Sequence, residues 1–193
     1  HLYEPGHEGG LEDMLQSVPM TADVNGTWVA TVEGDLNGIY YTYSVDVDGK
    51  VRETVDPYAR TTGVNGQRAM ILDLDSTNPE GWETDTDPHA GQNITDAVIY
   101  ELHVRDLSVD ESSGIANKGK FLGLIETGTT NASGVPTGLD HIKNLGITHI
   151  HLLPVYDFGS VDETKSEGFN WGYDPMNYNV PEGSYSTDPT KGE

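Results

Sequence analysis

Histidines on two predicted strands are the residues with the clearest capacity for metal chemistry. His149 and His151 alternate along one apolar run, so both side chains point to the same face, and two imidazoles at that spacing can share a metal ion. His103 lies on another predicted strand. Because a third ligand at suitable spacing is not evident, the favoured interpretation is that these histidines pack in a core, and the sequence predicts no metal site.

Acidic side chains offer a second kind of site, for calcium. Residues 46–49, Asp-Val-Asp-Gly, resemble the start of an EF-hand loop, but the remaining ligands and the terminal glutamate are missing at the required spacing. A hairpin turn is therefore the better interpretation. A predicted loop carries four further acids, namely Asp157, Asp162, Glu163 and Glu167. We expect these acids to be solvated on the surface, with a bound cation as the less favoured alternative.

Aromatic residues near the start of the chain could stack against a carbohydrate, because a flat ring face can pack on the C–H surface of a sugar. The candidates for such a platform are Trp28, Tyr40, Tyr41 and Tyr43. Aromatic residues on strands more often pack in a core, and Tyr40 and Tyr41 must face opposite sides of a strand. We therefore favour a core role for this group.

The charge of the chain argues against several classes of partner. It has 32 Asp and Glu against 10 Lys and Arg, a net charge of -22, which repels phosphate backbones and anionic membranes. Nucleic acids and membranes are therefore not expected as partners, whereas a neutral polymer or a cation is compatible with this surface. The chain has no cysteine, which excludes disulfides and thiolate metal sites. It also has no apolar run long enough to span a bilayer.

Short strands separated by turn residues are predicted for the first part of the chain. Residues 27–33 form a β-branched run, and residues 39–47 and 50–55 flank an Asp-Gly dipeptide that predicts a two-residue hairpin connection. Residues 69–74 supply one more strand. Because no helical pattern interrupts this region, we predict a β-sandwich over residues 1–82.

The composition then changes, and a stretch rich in Thr, Asp, Pro and Gly predicts a linker over residues 83–96. Beyond it we predict a strand over residues 97–105, a helix over residues 137–146 and a second strand over residues 147–154. Strand, helix and strand form a βαβ unit with parallel strands. Such a unit needs further strands and helices around it, so residues 97–193 are predicted to form an incomplete domain.

Several segments resemble parts of the α-amylase superfamily. Residues 98–106, Val-Ile-Tyr-Glu-Leu-His-Val-Arg-Asp, resemble the first barrel strand, and residues 138–155 resemble the helix and strand that follow it. Residues 169–175, Phe-Asn-Trp-Gly-Tyr-Asp-Pro, resemble the signature heptapeptide of type I pullulanases, with Phe169 where tyrosine is usual. Three upstream segments resemble the end of the starch-associated β-sandwich module, at residues 55–59, 64–68 and 77–82. The heptapeptide is the most specific of these likenesses.

The resemblance implies a β-sandwich module followed by the first βαβ portion of a (β/α)₈ TIM barrel. It implies hydrolysis of α-1,6 branch linkages by a retaining mechanism that uses two carboxylates. In the family both carboxylates lie further downstream, and the Asp-x-x-x-Asn-His motif of the superfamily does not occur in this sequence, so no catalytic residue is assigned. Tyr173 matches the tyrosine that stacks on the sugar ring beside the scissile bond. Asp174 and Trp171 are weaker candidates for substrate binding, and for Trp171 we favour a buried structural role.

The resemblance also sets expectations about partners and location. The expected partners are an α-glucan polysaccharide (pullulan, starch or glycogen) and the remainder of the barrel, and the polymeric substrate favours an extracellular or cell-surface location. No cofactor is required, although the complete enzyme could hold calcium. Two alternatives stay open: a non-catalytic glucan-binding fragment, and a hydrolase of the isoamylase or glycogen-debranching type. The abrupt ends of the sequence favour a processed or truncated product.

Overall fold

The structure, a computed structural model, describes residues 1–4, 13–165 and 168–191. The strands in these ranges are β1 (Leu2–Tyr3), β2 (Met14–Gln16), β3 (Thr21–Ala22), β4 (Trp28–Val29), β5 (Tyr40–Tyr41), β6 (Tyr43–Val47), β7 (Lys50–Thr54), β8 (Ala69–Met70), β9 (Ile99–Leu102), β10 (His149–Leu152), β11 (Tyr156–Phe158) and β12 (Pro175–Pro181). The α-helices there are α1 (Val104–Ser108), α2 (Phe121–Ile125) and α3 (Gly138–Asn144). Short 3-10 helices span Val24–Gly26, Val64–Gly66, Leu74–Thr77, Trp82–Thr84, Ile94–Asp96, Glu111–Ser113, Gly183–Tyr185 and Pro189–Lys191. Within these ranges no helix is both long and apolar enough to cross a membrane.

A four-stranded sheet in the order β2–β1–β5–β8 organises the first part of the chain, and its pairings are antiparallel. Tyr3, Tyr40 and Met70 form a buried cluster on it. The guanidinium of the buried Arg68 lies 3.6 Å from the centre of the Tyr3 ring and 2.6 Å from the Asp13 carboxylate. The β-rich character that we predicted is confirmed, whereas the two-layered arrangement of a sandwich stays a prediction.

The predicted strand over residues 39–47 is divided between two sheets. β5 pairs with β1 and β8, whereas β6 pairs with β7. Thr42 lies between β5 and β6, and its buried hydroxyl donates to the Glu53 carboxylate at 2.6 Å. The β6–β7 hairpin is confirmed: Asp48 and Gly49 both have positive φ, 54° and 76°, as a tight two-residue turn requires. Of the strand predicted over residues 27–33, only β4 forms.

Residues 71–98, between β8 and β9, are described throughout and contain no strand or α-helix. They are mostly exposed and form isolated 3-10 turns. The Asp73 side chain caps one of these turns by accepting a hydrogen bond from the Asp75 N–H at 3.1 Å. This irregular stretch contains the predicted linker, whose boundaries stay a prediction.

The two strands of the predicted βαβ unit pair in parallel, as expected, with His149 opposite Ile99 and Leu152 opposite Leu102. α3 lies in the connection between them, and its Ile142 is buried. Gly146 follows α3 with a φ of 75°, and its N–H donates to the Lys143 carbonyl at 2.9 Å. The complete barrel around this pair stays a prediction.

The strand predicted over residues 97–105 is shorter than expected, because the chain enters α1 directly after His103. The N–H of Leu107 donates to the His103 carbonyl at 3.1 Å, which closes the first helical turn. Val104 packs in a buried cluster with Phe158 and Tyr185. Burial of Val104 in this cluster favours a helix over continuation of the strand. The strand therefore ends before Arg105, and the predicted alternation of polar residues through Arg105 is wrong.

Residues 57–69 contact residues 157–182 along an interface that we call the seam. Val180 of β12 is buried with Ala59 and Ala69. The Asn177 side-chain amide donates to the Gly66 carbonyl at 3.1 Å, and the Asn179 side-chain amide donates to Pro57 at 3.3 Å. The predicted N-terminal module and the predicted start of the barrel are therefore joined by both apolar and polar contacts.

Candidate functional site

The heptapeptide loop, residues 169–175, is anchored by His103. The Nε2 atom of His103 lies 2.7 Å from the Asn170 carbonyl oxygen, and since a carbonyl only accepts, Nε2 carries the hydrogen. The His103 ring also lies against the Phe169 ring, with centroids 5.2 Å apart. His103 is buried at 7% exposure, so the loop is attached to a fixed point at the end of β9.

Asn170 and Gly172 determine the shape of the loop. The Asn170 side-chain oxygen accepts from the Gly172 N–H at 2.8 Å, while its amide nitrogen donates to Asp174 at 2.7 Å. Gly172 has a φ of 90°, and a Cβ there would lie 2.7 Å from the Pro154 carbonyl oxygen. Only glycine fits this position without strain.

Asp174 is oriented within the loop by two donors. The Ser160 hydroxyl donates to one carboxylate oxygen, and Asn170 donates to the other. The bond from Ser160, and then that from Asn170, hold the pKa of Asp174 below its usual range. Asp174 is therefore an exposed, ionised carboxylate in a defined orientation, and its contact with substrate stays a prediction.

The two aromatic candidates of the loop both face outward. Tyr173 is 71% exposed and Trp171 is 62% exposed. The buried role that we favoured for Trp171 is wrong, because the Asn170–Gly172 turn directs its side chain away from the core and against the edge of Phe169, with ring centroids 6.1 Å apart. The loop presents Tyr173 as an accessible ring, which a stacking contact requires, and substrate binding by both residues stays a prediction.

The expectation of core histidines holds for one of the three. His103 is buried, whereas His149 and His151 are exposed. The His149 ring stacks on His89, with centroids 5.2 Å apart, and His151 lies 3.1 Å from the Glu101 carboxylate. In the described part of the chain, the face of β10 that carries His149 and His151 stays exposed. The alternating pattern along this strand therefore did not indicate that the two side chains are buried.

Three buried carboxylates meet at the seam, and we call Asp157, Glu163 and Glu182 the acid cluster. One oxygen atom of each residue lies within 4.8 Å of the others. We predicted Asp157 and Glu163 to be solvated, and that is wrong because β11 and the loop after it fold against the Val64–Gly66 turn. Asp162 does face solvent and pairs with Lys165 at 2.6 Å, whereas Glu167 lies outside the described residues.

Sequence reasoning missed Glu182 altogether. It is fully buried, and its two oxygens accept from the N–H groups of Phe158 and Ser184, each at 2.9 Å. Burial raises the pKa of Glu182, and it also raises the pKa of Asp157. A glutamate between a proline and a glycine carries no local signal of burial, since the contact depends on residues far away in the chain.

Comparison with known proteins gives a consistent result. No family model matches the chain. The chain is 44% identical to the pullulanase of Bacillus subtilis (strain 168) over 171 residues, which is 88% of this chain and 23% of that protein. It is 33% identical to Pullulanase 1, chloroplastic, of Arabidopsis thaliana, over 87% of this chain and 21% of that protein. The chain thus spans less than a quarter of the length of these relatives.

The solved structures that resemble this chain are also pullulanases. The crystal structure of apo pullulanase from Paenibacillus barengoltzii superposes with a TM-score of 0.93 at 57% identity, over 99% of this chain and 29% of that one. Pullulanase from Bacillus acidopullulyticus superposes with a TM-score of 0.90 at 47% identity, over 97% of this chain and 23% of that one. Over the segment that it covers, the chain therefore belongs to the pullulanase family.

Proposed function

We propose that this chain is part of an enzyme that hydrolyses α-1,6-glucosidic branch linkages in pullulan and branched starch. The observation that carries the proposal is the exposed Tyr173 ring on a loop that His103, Asn170 and Gly172 hold in place. Its sequence relatives are pullulanases, and the Paenibacillus barengoltzii pullulanase has been crystallised with maltohexaose and α-cyclodextrin. An α-glucan is accordingly the ligand that we assign to the loop.

In this proposal the chain positions substrate and the chemistry takes place on other residues. A retaining glycosidase uses one carboxylate as nucleophile and a second as acid and base. The sequence contains no Asp-x-x-x-Asn-His motif, and we assign neither role to its acids. Tyr173 would stack on a glucose ring, while the Asp174 carboxylate accepts hydrogen bonds from hydroxyl groups beside it. Trp171, exposed next to Phe169, would extend the apolar surface.

Reducing-sugar release from pullulan and from amylose, measured on the complete protein that contains this chain, tests this proposal. We expect maltotriose from pullulan and no product from amylose, because pullulan contains α-1,6 linkages and amylose does not. Products from amylose alone would contradict the debranching assignment and favour another amylase activity. Isoamylase SU1 of Zea mays is 26% identical over 96% of this chain, so glycogen and amylopectin belong in the same assay.

A glucan-binding role without turnover is the second candidate. A cavity of about 470 Å³ beside the N-terminal sheet is lined by Tyr41, Tyr43 and Tyr58, which supply ring faces of the kind that sugars stack on. Tyr40, by contrast, is buried, and Trp28 is 62% exposed. Sedimentation of the protein with insoluble starch, without release of reducing sugar from any glucan, would favour this candidate over the enzyme.

We also infer that the protein acts outside the cell or at its surface. A polymeric substrate and a net charge of -22 support this location. Activity assays on culture medium, intact cells and lysate test it. Activity confined to the lysate would contradict it.

A further inference from the structure

Asparagine is followed directly by glycine at three places in the chain, at residues 25–26, 37–38 and 65–66. Such a pair is chemically labile, because glycine has no side chain to hinder attack by its backbone nitrogen on the side-chain carbon of the asparagine. A valine or a leucine precedes each pair. The local sequence therefore makes the three pairs similar in reactivity, and their structural surroundings distinguish them.

The pair at residues 65–66 is held at both reacting groups. The Asn65 side-chain oxygen accepts from the Glu163 N–H at 2.9 Å, and the N–H of Asn65 donates to the Glu163 carboxylate at 2.7 Å. The Gly66 N–H, whose nitrogen would be the nucleophile, donates to the Gly63 carbonyl at 3.1 Å. The side chain and the nucleophile are therefore both fixed, and they can react only after local opening of the seam.

The pair at residues 37–38 is held in the same way. The Asn37 side-chain oxygen accepts from the Asp73 N–H at 2.8 Å. The Gly38 N–H donates to the Ile71 carbonyl at 2.7 Å. Both reacting groups are therefore engaged by the stretch that follows β8, and reaction again requires local opening.

The pair at residues 25–26 lacks these contacts. The Asn25 side chain is exposed, and it has no hydrogen-bond partner among residues 1–4, 13–165 and 168–191. Within the same ranges the Gly26 N–H makes no hydrogen bond comparable to that of Gly66. Asn25 has a φ of 56°, in the left-handed region that asparagine tolerates. The asparagine side chain and the glycine nitrogen are therefore both available.

The turn that carries this pair connects β3 to β4, whose residues are all exposed. The Asp23 N–H donates to the Thr27 carbonyl at 2.8 Å. Thr27 donates to the Val24 carbonyl from its N–H at 3.2 Å and from its hydroxyl at 2.8 Å. None of these bonds uses an atom of Asn25 or Gly26, so the two residues can adjust with fewer contacts to break than at the other pairs.

We propose that Asn25 is the asparagine–glycine site of this chain that deamidates in the folded state, with water as the only co-reactant. The Gly26 nitrogen attacks Cγ of Asn25, so that the N–Cγ bond forms and the Cγ–Nδ2 bond breaks. The proton of the Gly26 N–H leaves with the amide as ammonia. Water then opens the succinimide at either carbonyl and gives aspartate or isoaspartate. The product carries one more negative charge, and isoaspartate lengthens the backbone of the turn by a methylene.

Incubation of the complete protein that contains this chain, at mildly alkaline pH and well below its melting temperature, tests the site. Mass spectrometry of its peptides measures the mass change from amide to carboxyl at each pair. Because the hydrogen bonds at Asn37 and Asn65 must open first, deamidation at Asn25 should be faster by about tenfold or more. In the control, the same protein unfolded in urea, all three asparagines should react at similar rates.

Asn25→Gly is the matched variant, because it removes the reacting amide and glycine adopts a φ of 56° without strain. The variant should show no mass change at this turn and unchanged rates at Asn37 and Asn65. Circular dichroism before and after incubation reports that the protein stays folded. Deamidation at Asn37 or Asn65 as fast as at Asn25 in the folded protein would overturn the proposal, and so would an Asn25 that stays intact there. These readouts are independent of activity on glucans.

Discussion

The heptapeptide loop and the acid cluster both contain an aspartate that accepts a hydrogen bond from an asparagine amide, but in opposite surroundings. Asp174 with Asn170 faces solvent, and hydrogen bonds hold its pKa below the usual range. Asp157 with Asn177 is buried, and loss of hydration raises its pKa. The asparagine hydrogen bond favours the ionised form in both places, but at Asp157 the loss of hydration outweighs it.

This difference separates a surface that can meet a ligand from an interior in which burial disfavours charge. Around Asp174, water compensates the charge, and the hydrogen bonds both orient the carboxylate and favour its ionised form. Around Asp157, burial removes water, and Oδ1 lacks a donor in the described residues. We therefore connect the exposed loop with substrate, whereas the buried cluster belongs to the contact with the Val64–Gly66 turn.

Gly66→Ala should have the largest effect on stability, because it breaks the seam. Gly66 has a φ of 64°, and an added Cβ would overlap the Asp157 carboxylate and lie 2.7 Å from the Asn177 amide nitrogen. We expect the free energy of unfolding to fall by about 3 kcal/mol, from backbone strain and overpacking together. Urea denaturation measures this change.

Gly49→Ala is the control for that experiment. Gly49 also has a positive φ, 76°, but an added Cβ would meet no atom within 4 Å. Strain alone should lower the free energy of unfolding by about 1 kcal/mol. Equal losses in the free energy of unfolding for the two variants would show that the contact between Gly66 and the acid cluster does not contribute to stability.

His103→Ala should release the heptapeptide loop. It removes the contact with the Asn170 carbonyl and the packing on Phe169. We expect the free energy of unfolding to fall by about 2 kcal/mol, and the KM for pullulan to rise because the loop loses its anchor. His151→Ala, at an exposed position, should change the free energy of unfolding by less than about 0.5 kcal/mol. A normal KM in His103→Ala would contradict the anchoring role.

The pH dependence of Asp157→Asn separates the acid cluster from the loop. In metal-free protein the raised pKa of Asp157 means that the folded state holds this proton to higher pH than the unfolded state. Ionisation then destabilises the wild type as pH rises through that interval, whereas asparagine cannot ionise. Thermal melts in EDTA should therefore show the variant gaining stability over the wild type with rising pH and losing that advantage in acid.

Three other ionisable groups face Asp157 or its partners in both proteins, namely Glu163, Glu182 and Lys120. Subtracting the melting temperature of the wild type from that of Asp157→Asn at each pH removes much of the contribution of these groups. A difference in melting temperature that stays constant across pH would contradict a raised pKa for Asp157.

Asp174→Asn should have the smallest effect on stability. The lowered pKa of Asp174 contributes stability above its unfolded pKa, and this contribution disappears as pH falls through the folded pKa. The group is exposed and screened, so the melting temperature of the variant at neutral pH should match that of the wild type. A large loss of stability would show that the loop depends on this charge.

Local signals predicted the elements that local chemistry determines. The Asp-Gly dipeptide at residues 48–49 specified the β6–β7 hairpin, and Gly146 specified the end of α3. The parallel pairing of β9 and β10 followed from the strand–helix–strand order. The resemblance of the heptapeptide identified the family that the relatives confirm.

Features that depend on distant contacts were not predictable in this way. Val104 and Arg105 continue an alternating pattern, yet α1 begins there because Val104 packs on Phe158 and Tyr185. Asp157 and Glu163 lie in a polar stretch, yet the Val64–Gly66 turn covers them. Burial of a charged residue depends on which remote segment folds over it, and a single sequence carries no such information.

The kinetics of Tyr173→Ala on pullulan, measured on the complete protein that contains this chain, test the central claim most directly. We expect kcat/KM to fall about tenfold or more, with Tyr173→Phe close to the wild type, because the ring face and not the hydroxyl makes the contact. Tyr178→Ala, which removes a ring of similar exposure on β12, should leave kcat/KM unchanged. Wild-type kinetics in Tyr173→Ala, or an equal loss in Tyr178→Ala, would contradict the assignment of the heptapeptide loop to substrate.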